Sequence, residues 1–209
     1  MEFVRPDRLS TMVFVAIIAF NVLAFVGGTY FAAKRMHRSA GTWTIAAAGG
    51  VILWLGLIAA VVNSGWMSEH RMPGLLLFFL GINGASLALG LSPFGRAFAQ
   101  GLPLTVLVVF QSFRFPLELV LHAWAQQGSI PATMTWTGAN YDIVSGVLAM
   151  LVYPIAHNNR WAVWAFNGVG IALLINVGRV AMLSAPLPFA WAVSPPLLVA
   201  FHLPYALIV

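Results

Sequence analysis

The sequence predicts an all-α fold, a polytopic bundle of transmembrane helices. Of its 209 residues, 61% are hydrophobic and only 7% are charged, against about 25% charged in an ordinary soluble domain. The apolar residues fall in repeated runs of about 20, the length that crosses a hydrocarbon core. Short stretches holding charges, Pro and Gly separate those runs. At about 30 residues per span and loop, the length admits six or seven spans and no separate soluble domain. Residues 1–209 therefore read as one transmembrane domain.

The first span is expected at roughly Thr11–Ala33. Arg5 and Arg8 precede it, as in a signal peptide, but it is too long for a cleaved apolar region. The dense basic stretch "KRMHR" follows it, so it reads as a retained helix. The second is expected at Thr42–Val62 and ends in "NSGWMSEHRMPG". The third, Leu75–Leu91, is broken by "SPFGR". The fourth runs from Leu102 to Trp124. A polar connection, "AQQGSIPATMTWTGAN", leads to a fifth at Tyr141–Ala156, which "HNNR" separates from a sixth at Trp161–Leu183. The seventh, Leu197–Val209, is short for a crossing. Either it begins nearer Phe189 with Pro195 and Pro196 inside it, or the chain given is shortened; six spans remain if it is incomplete.

Lys and Arg in short loops set the orientation. With the first loop cytoplasmic, the inner loops hold Lys34, Arg35, Arg38, Arg96 and Arg160, and the outer segments hold Arg5, Arg8 and Arg71. That balance favours the N-terminus outside. Trp43, Trp66, Trp124, Trp136, Trp161 and Trp191 lie near span ends, as interfacial belts require. Small residues four apart (Ala24/Gly28, Ala46/Gly50, Ser86/Gly90) suit close helix packing. The net charge of +5 is scattered rather than clustered, so topology explains it and no nucleic-acid partner is expected.

Several chemistries are excluded. With no cysteine, there are no disulfides, iron–sulfur clusters or thiol nucleophiles. No span holds a lysine, which removes a retinal-type Schiff base. No phosphate loop, dinucleotide glycine pattern, serine elbow or histidine pair one turn apart appears.

The informative stretch is "FRFPLELVLH". Arg114, Glu118 and His122 are four apart, so they share one helix face over about 12 Å. A charge at mid-membrane costs at least about 2.5–3.5 kcal/mol, which an Arg114–Glu118 pair and burial in the bundle would offset. Pro116, within the stripe, removes a backbone donor and can kink the helix. Asp142 opens the fifth span and Arg179 lies late in the sixth, so the embedded charges cancel two against two. With Asn140 and Asn176 at similar depth, these residues predict a polar pocket opening outward between the fourth, fifth and sixth helices. An ion-pair network that merely fixes helix register accounts for Arg114 and Glu118 equally well. The connection before Asp142 is either a lid or a solvated linker. His122, beside Glu118, is a candidate proton donor or acceptor near neutral pH. His122 and His202 are weak haem candidates, and no metal site is expected. The cofactor is unknown.

"FRFPLELVLHAW", "MTWTGANYDIVSGVLAMLVYP" and "NVGRVAMLSAPLPF" resemble a family of bacterial integral membrane proteins with no assigned activity. The resemblance covers about the second half of the chain. It implies a bacterial inner-membrane protein whose relatives extend beyond this C-terminus, and it assigns no residue a role. The expected function is binding, sensing or passing a small polar or anionic ligand, ion or proton, as a transporter does. An intramembrane enzyme acting on a lipid-like substrate is the second reading, with Glu118 and His122 as acid and base. A structural subunit whose stripe binds a partner membrane protein is the third. The lipid bilayer is the expected surrounding in all three.

Overall fold

The computed structural model describes residues 3–208, the side chains of Arg71, Met72 and Ile208 excepted. The architecture is all-α, and five helical segments are long and apolar enough to cross a membrane. They are α1 (Arg8–Arg35), α2 (Ala40–Asn63), most of α4 (Arg71–Leu91), a composite of α6 (Leu104–Phe110) with α7 (Arg114–Gln126), and α9 (Arg160–Ser184). Shorter helices are α3 (Trp66–Glu69), α5 (Pro93–Gly101) and α8 (Ile143–Val152). Large apolar side chains stand exposed along these rods, including Ile45, Ile52, Leu53, Trp164 and Ile175. So much exposed apolar surface suits lipid and not water, and it points to an integral membrane protein.

The expected spans one, two, three, four and six coincide with these five. Five of the seven expected spans meet this length, and two expected runs form shorter elements. Residues 143–155 form α8 and one 3₁₀ turn (Tyr153–Ile155). At 1.5 Å per residue that rod is about 20 Å long, short of a 30 Å hydrocarbon core. Asp142 opens it, and Pro154 lacks the N–H that would continue it. The seventh run forms no span: residues 197–208 hold only the 3₁₀ turns Val199–Phe201 and Tyr205–Ile208. Pro195 and Pro196 precede the run and Pro204 interrupts it, so no stretch of it is long enough to nucleate a stable helix. Val209 lies outside the described residues.

The chain forms two compact units. One contains residues up to Ile17 with Leu104–Val199, and the other contains Ile18–Pro103 with the residues from Ala200 onward. In the second unit Ser92 caps α5, its hydroxyl accepting from the Gly95 N–H at 3.1 Å, with Pro93 in the first turn. The cap turns α5 so that Phe94 and Phe98 pack on Phe25. A Cβ at Gly28 would meet the Phe98 ring at 3.2 Å, so the small residue serves close packing there, whereas a Cβ at Gly50 or Gly90 would meet nothing within 4 Å.

The first unit carries the polar stripe. Its α6, α8 and α9 share an apolar cluster of Val108, Ala149, Ala156, Val163 and Phe166. α6 passes into α7 through a 3₁₀ turn, Gln111–Phe113. Pro116 lacks the N–H that would bond the Ser112 carbonyl, so the backbone tightens there without breaking the crossing. α1 begins beside the end of α7. Asp7 caps it, Oδ1 accepting from the Ser10 N–H at 2.9 Å. The Asp7 N–H donates to Gln127 Oε1 at 2.8 Å, and Gln127 Nε2 donates back to the Asp7 carboxylate. Trp124, in the last turn of α7, is fully buried against Phe14, with its indole N–H on Ser10 Oγ at 3.0 Å.

Candidate functional site

α7 ends in a Schellman motif. Gly128 takes φ +72°, the Ser129 N–H bonds the Trp124 carbonyl at 2.9 Å and the Gly128 N–H bonds the Ala125 carbonyl at 3.1 Å. Glycine adopts that backbone without a Cβ penalty. The motif turns the chain back, and the following connection packs inward, burying Ser129, Ile130, Met134, Thr135 and Asn140. This segment is thus no loose linker but one wall of the site.

Asn140 is the hub. It is fully buried. Its Nδ2 donates to Glu118 Oε1 at 2.8 Å and to the Met134 carbonyl at 3.1 Å, and its Oδ1 accepts from the Asp142 N–H at 3.1 Å. One amide therefore ties the middle of α7, the connection and the start of α8. Arg114 bonds across the same helix pair, with Nη1 2.5 Å from Asp142 Oδ2 and Nε donating to Gln111 Oε1 at 3.1 Å. Its ion-pair partner is Asp142 and not Glu118 as expected. A one-turn separation on a single helix allows the Arg114–Glu118 contact, but α8 brings a carboxylate to Arg114 directly. The approach of the two helices depends on Gly146, where a Cβ would lie 2.5 Å from the Phe115 nitrogen.

The cluster is deeply enclosed: Glu118 is 2% exposed, Asp142 5% and Ser145 2%. Each keeps a buried oxygen with no hydrogen-bond partner in the protein, namely Glu118 Oε2, Asp142 Oδ1 and Ser145 Oγ. A buried polar atom left unbonded costs about 1–3 kcal/mol, so these three are the atoms with capacity for a ligand.

The remaining expected residues sit around this centre. His122 stacks on Trp136 of the connection, ring centroids 4.3 Å apart, with its Nε2 3.0 Å from Gln126 Nε2. Asn176 of α9 donates to the Ala139 carbonyl at 2.7 Å. Arg179 donates to Asn176 Oδ1 at 2.8 Å and is exposed, so it joins only the outer edge. Thr133 and Ser184 hydroxyls meet at 2.7 Å, pinning the connection to the end of α9. His202 belongs to the other unit, near the 3₁₀ turn at Val199–Phe201. Among the described residues no group of three or more His, Cys, Asp or Glu could hold a metal ion.

Ser145 and Gln111 were not foreseen as members. Both lie three residues from a charged member of the site, Ser145 after Asp142 and Gln111 before Arg114, on the same helical face. That spacing was the available signal.

The chain belongs to the family described as Domain of unknown function (DUF8737), which matches residues 72–209. The site and the three segments that carry the sequence resemblance all lie within the match. No curated protein and no solved structure matches the chain.

Proposed function

We propose that this member of the DUF8737 family binds a small polar solute or ion in the membrane, at the buried cluster of Glu118, Asn140, Asp142 and Ser145. The carrying observation is that three nearly inaccessible side chains each retain an oxygen unbonded within the protein. A network serving only helix register would be expected to satisfy its own atoms. The acid–base enzyme reading draws less support, because Glu118 bonds Asn140 while His122 bonds Gln126 and stacks on Trp136.

The same contacts support a sixth crossing. The connection after α7 is bonded to Asn176 and Ser184 near the end of α9. The ends of α7 and α9 therefore share one face, and α8 with residues 156–159 must carry the chain to the other. The rod of about 20 Å supplies most of that distance, and a hydrogen-bonded turn at residues 156–158, with the Asn159 N–H on the Ile155 carbonyl at 2.9 Å, joins it to the start of α9. By the distribution of Lys and Arg, the shared face is the outer one, in a bacterial inner membrane with the N-terminus outside.

The test is the melting temperature of the purified protein in detergent with a panel of small salts, for wild type and Glu118→Gln. At least one solute should raise the wild-type Tm and leave the variant unmoved. A panel with no effect on wild type, together with no proton held on the Glu118 carboxyl, would overturn the proposal.

A further inference from the structure

We infer that the ligand of this cluster carries a single positive charge, as a proton or a small monovalent cation, and is not an anion. The inference rests on the binding reading above and narrows its chemistry.

Two observations carry it. The first is the charge count. Glu118 and Asp142 bring two carboxylates into the enclosed centre, and Arg114 alone opposes them, through Asp142. On α9, Arg179 is exposed and bonded to Asn176, and Arg160 is exposed at the opposite end of the helix. One negative charge is thus left without a protein counter-charge in a region almost closed to solvent. Isolated buried charges of that kind are neutralised by a partner, a proton or an ion.

The second is the kind of atom left unbonded. Around α7, the connection and α8 the buried atoms without a protein partner are Glu118 Oε2, Asp142 Oδ1, Ser145 Oγ, Ser129 Oγ and His122 Nδ1. Apart from the imidazole nitrogen, all are oxygens, and two belong to carboxylates. Asn140 commits its amide to Glu118, Met134 and the Asp142 backbone, which holds the carboxyl of Glu118 in place. Carboxylate and hydroxyl oxygens suit a hard monovalent cation, an ammonium ion or a bound proton. An anion would meet like charge at the Glu118 and Asp142 carboxylates. Ser145 lies one turn beyond Asp142 on the same face of α8, so its hydroxyl extends the carboxylate pair.

Two measurements test this on the full chain in detergent. The first is the infrared difference spectrum of wild type minus Glu118→Gln, read at the protonated-carboxyl C=O stretch. The second is Tm with chloride salts of lithium, sodium, potassium, ammonium and choline, and with choline formate and choline phosphate. A protonated-carboxyl band at neutral pH, absent from the variant, identifies the proton as the occupant. If that band is missing, a small cation should raise wild-type Tm by roughly 5–10 °C at a hundredfold excess over Kd, while choline does not. That rise should vanish in Glu118→Gln and shrink in Ser145→Ala, which removes only a hydroxyl and serves if the first variant misfolds. No band and no cation effect overturns the inference. In that case a rise with formate or phosphate leaves the binding reading standing, and no effect from any salt removes both.

Discussion

Removing each charge of the cluster in turn should give an order of stability that follows the charge count. Arg114→Gln leaves two buried carboxylates with no cation near them. Breaking a buried pair from one side costs about 3–5 kcal/mol, or roughly 6–20 °C in Tm for a chain of this size. Asp142→Asn is milder. It loses the 2.5 Å charged contact to Arg114, worth about 1.5–3 kcal/mol, but Arg114 and Glu118 still balance. Glu118→Gln deletes the surplus charge and keeps an oxygen to accept from Asn140 Nδ2, so its stability should equal or exceed wild type. The assay is thermal unfolding in detergent at neutral pH and low salt, with far-ultraviolet circular dichroism confirming equal helix content. Asp142→Asn falling as far as Arg114→Gln, with Glu118→Gln below wild type, would refute the reasoning, because the surplus charge would then not reside in the cluster.

Gly146→Ala places a methyl against the Phe115 backbone; overpacking of this kind costs about 1–3 kcal/mol, and the resulting α7–α8 separation should also weaken solute effects on Tm. Asp7 sits outside the spans, and the Ser10 backbone N–H, followed by the Ser10 hydroxyl, holds its carboxyl below the usual 3.8. A depressed folded value stabilises above the unfolded one and is lost as pH falls through the folded one, so the Tm gap between wild type and Asp7→Asn should be constant at neutral pH and close below about 3.8; a gap that widens in acid would contradict this. The chain has no cysteine, so single cysteines at Gln127 and Asn158 can be labelled in sealed vesicles with an impermeant thiol reagent. They should react from opposite faces, and labelling from the same face would remove the sixth crossing.

The long spans were legible because a bilayer permits few alternatives: backbone polar groups must be satisfied within the segment, so an apolar run of sufficient length is a helix. Hydropathy says less once proline intervenes. Residues 197–208 are as apolar as a span, yet Pro204 divides them and only 3₁₀ turns form. At Pro116 the same residue type left the crossing intact, because a 3₁₀ turn at Gln111–Phe113 absorbed the missing donor. The difference lies in the long helical segments that flank Pro116. The inward fold of residues 129–142 was not legible either, since its cause is a hub, Asn140, whose three hydrogen bonds reach residues 2, 6 and 22 positions away.

The site shows why membership of a cluster and charge balance within it are separate questions. Periodicity placed Arg114, Glu118 and His122 on one face, and depth added Asn140, Asp142, Asn176 and Arg179. The structure draws all seven toward the connection and its flanking helices, but unequally. Arg179 ends on Asn176 at the exposed edge, and this changes the sum. Counted along the sequence, two basic groups meet two acidic ones, and a pair of arginines suits an anionic ligand. Counted in the enclosed centre, one guanidinium meets two carboxylates, each with an oxygen unbonded within the protein. The proposed ligand changes sign on the position of a single side chain, which no spacing rule reports. Moving a cation back inward, as Ser145→Lys would attempt, should therefore substitute for the ligand's charge and abolish cation-dependent stabilisation, whereas an anion site would gain affinity from the same change.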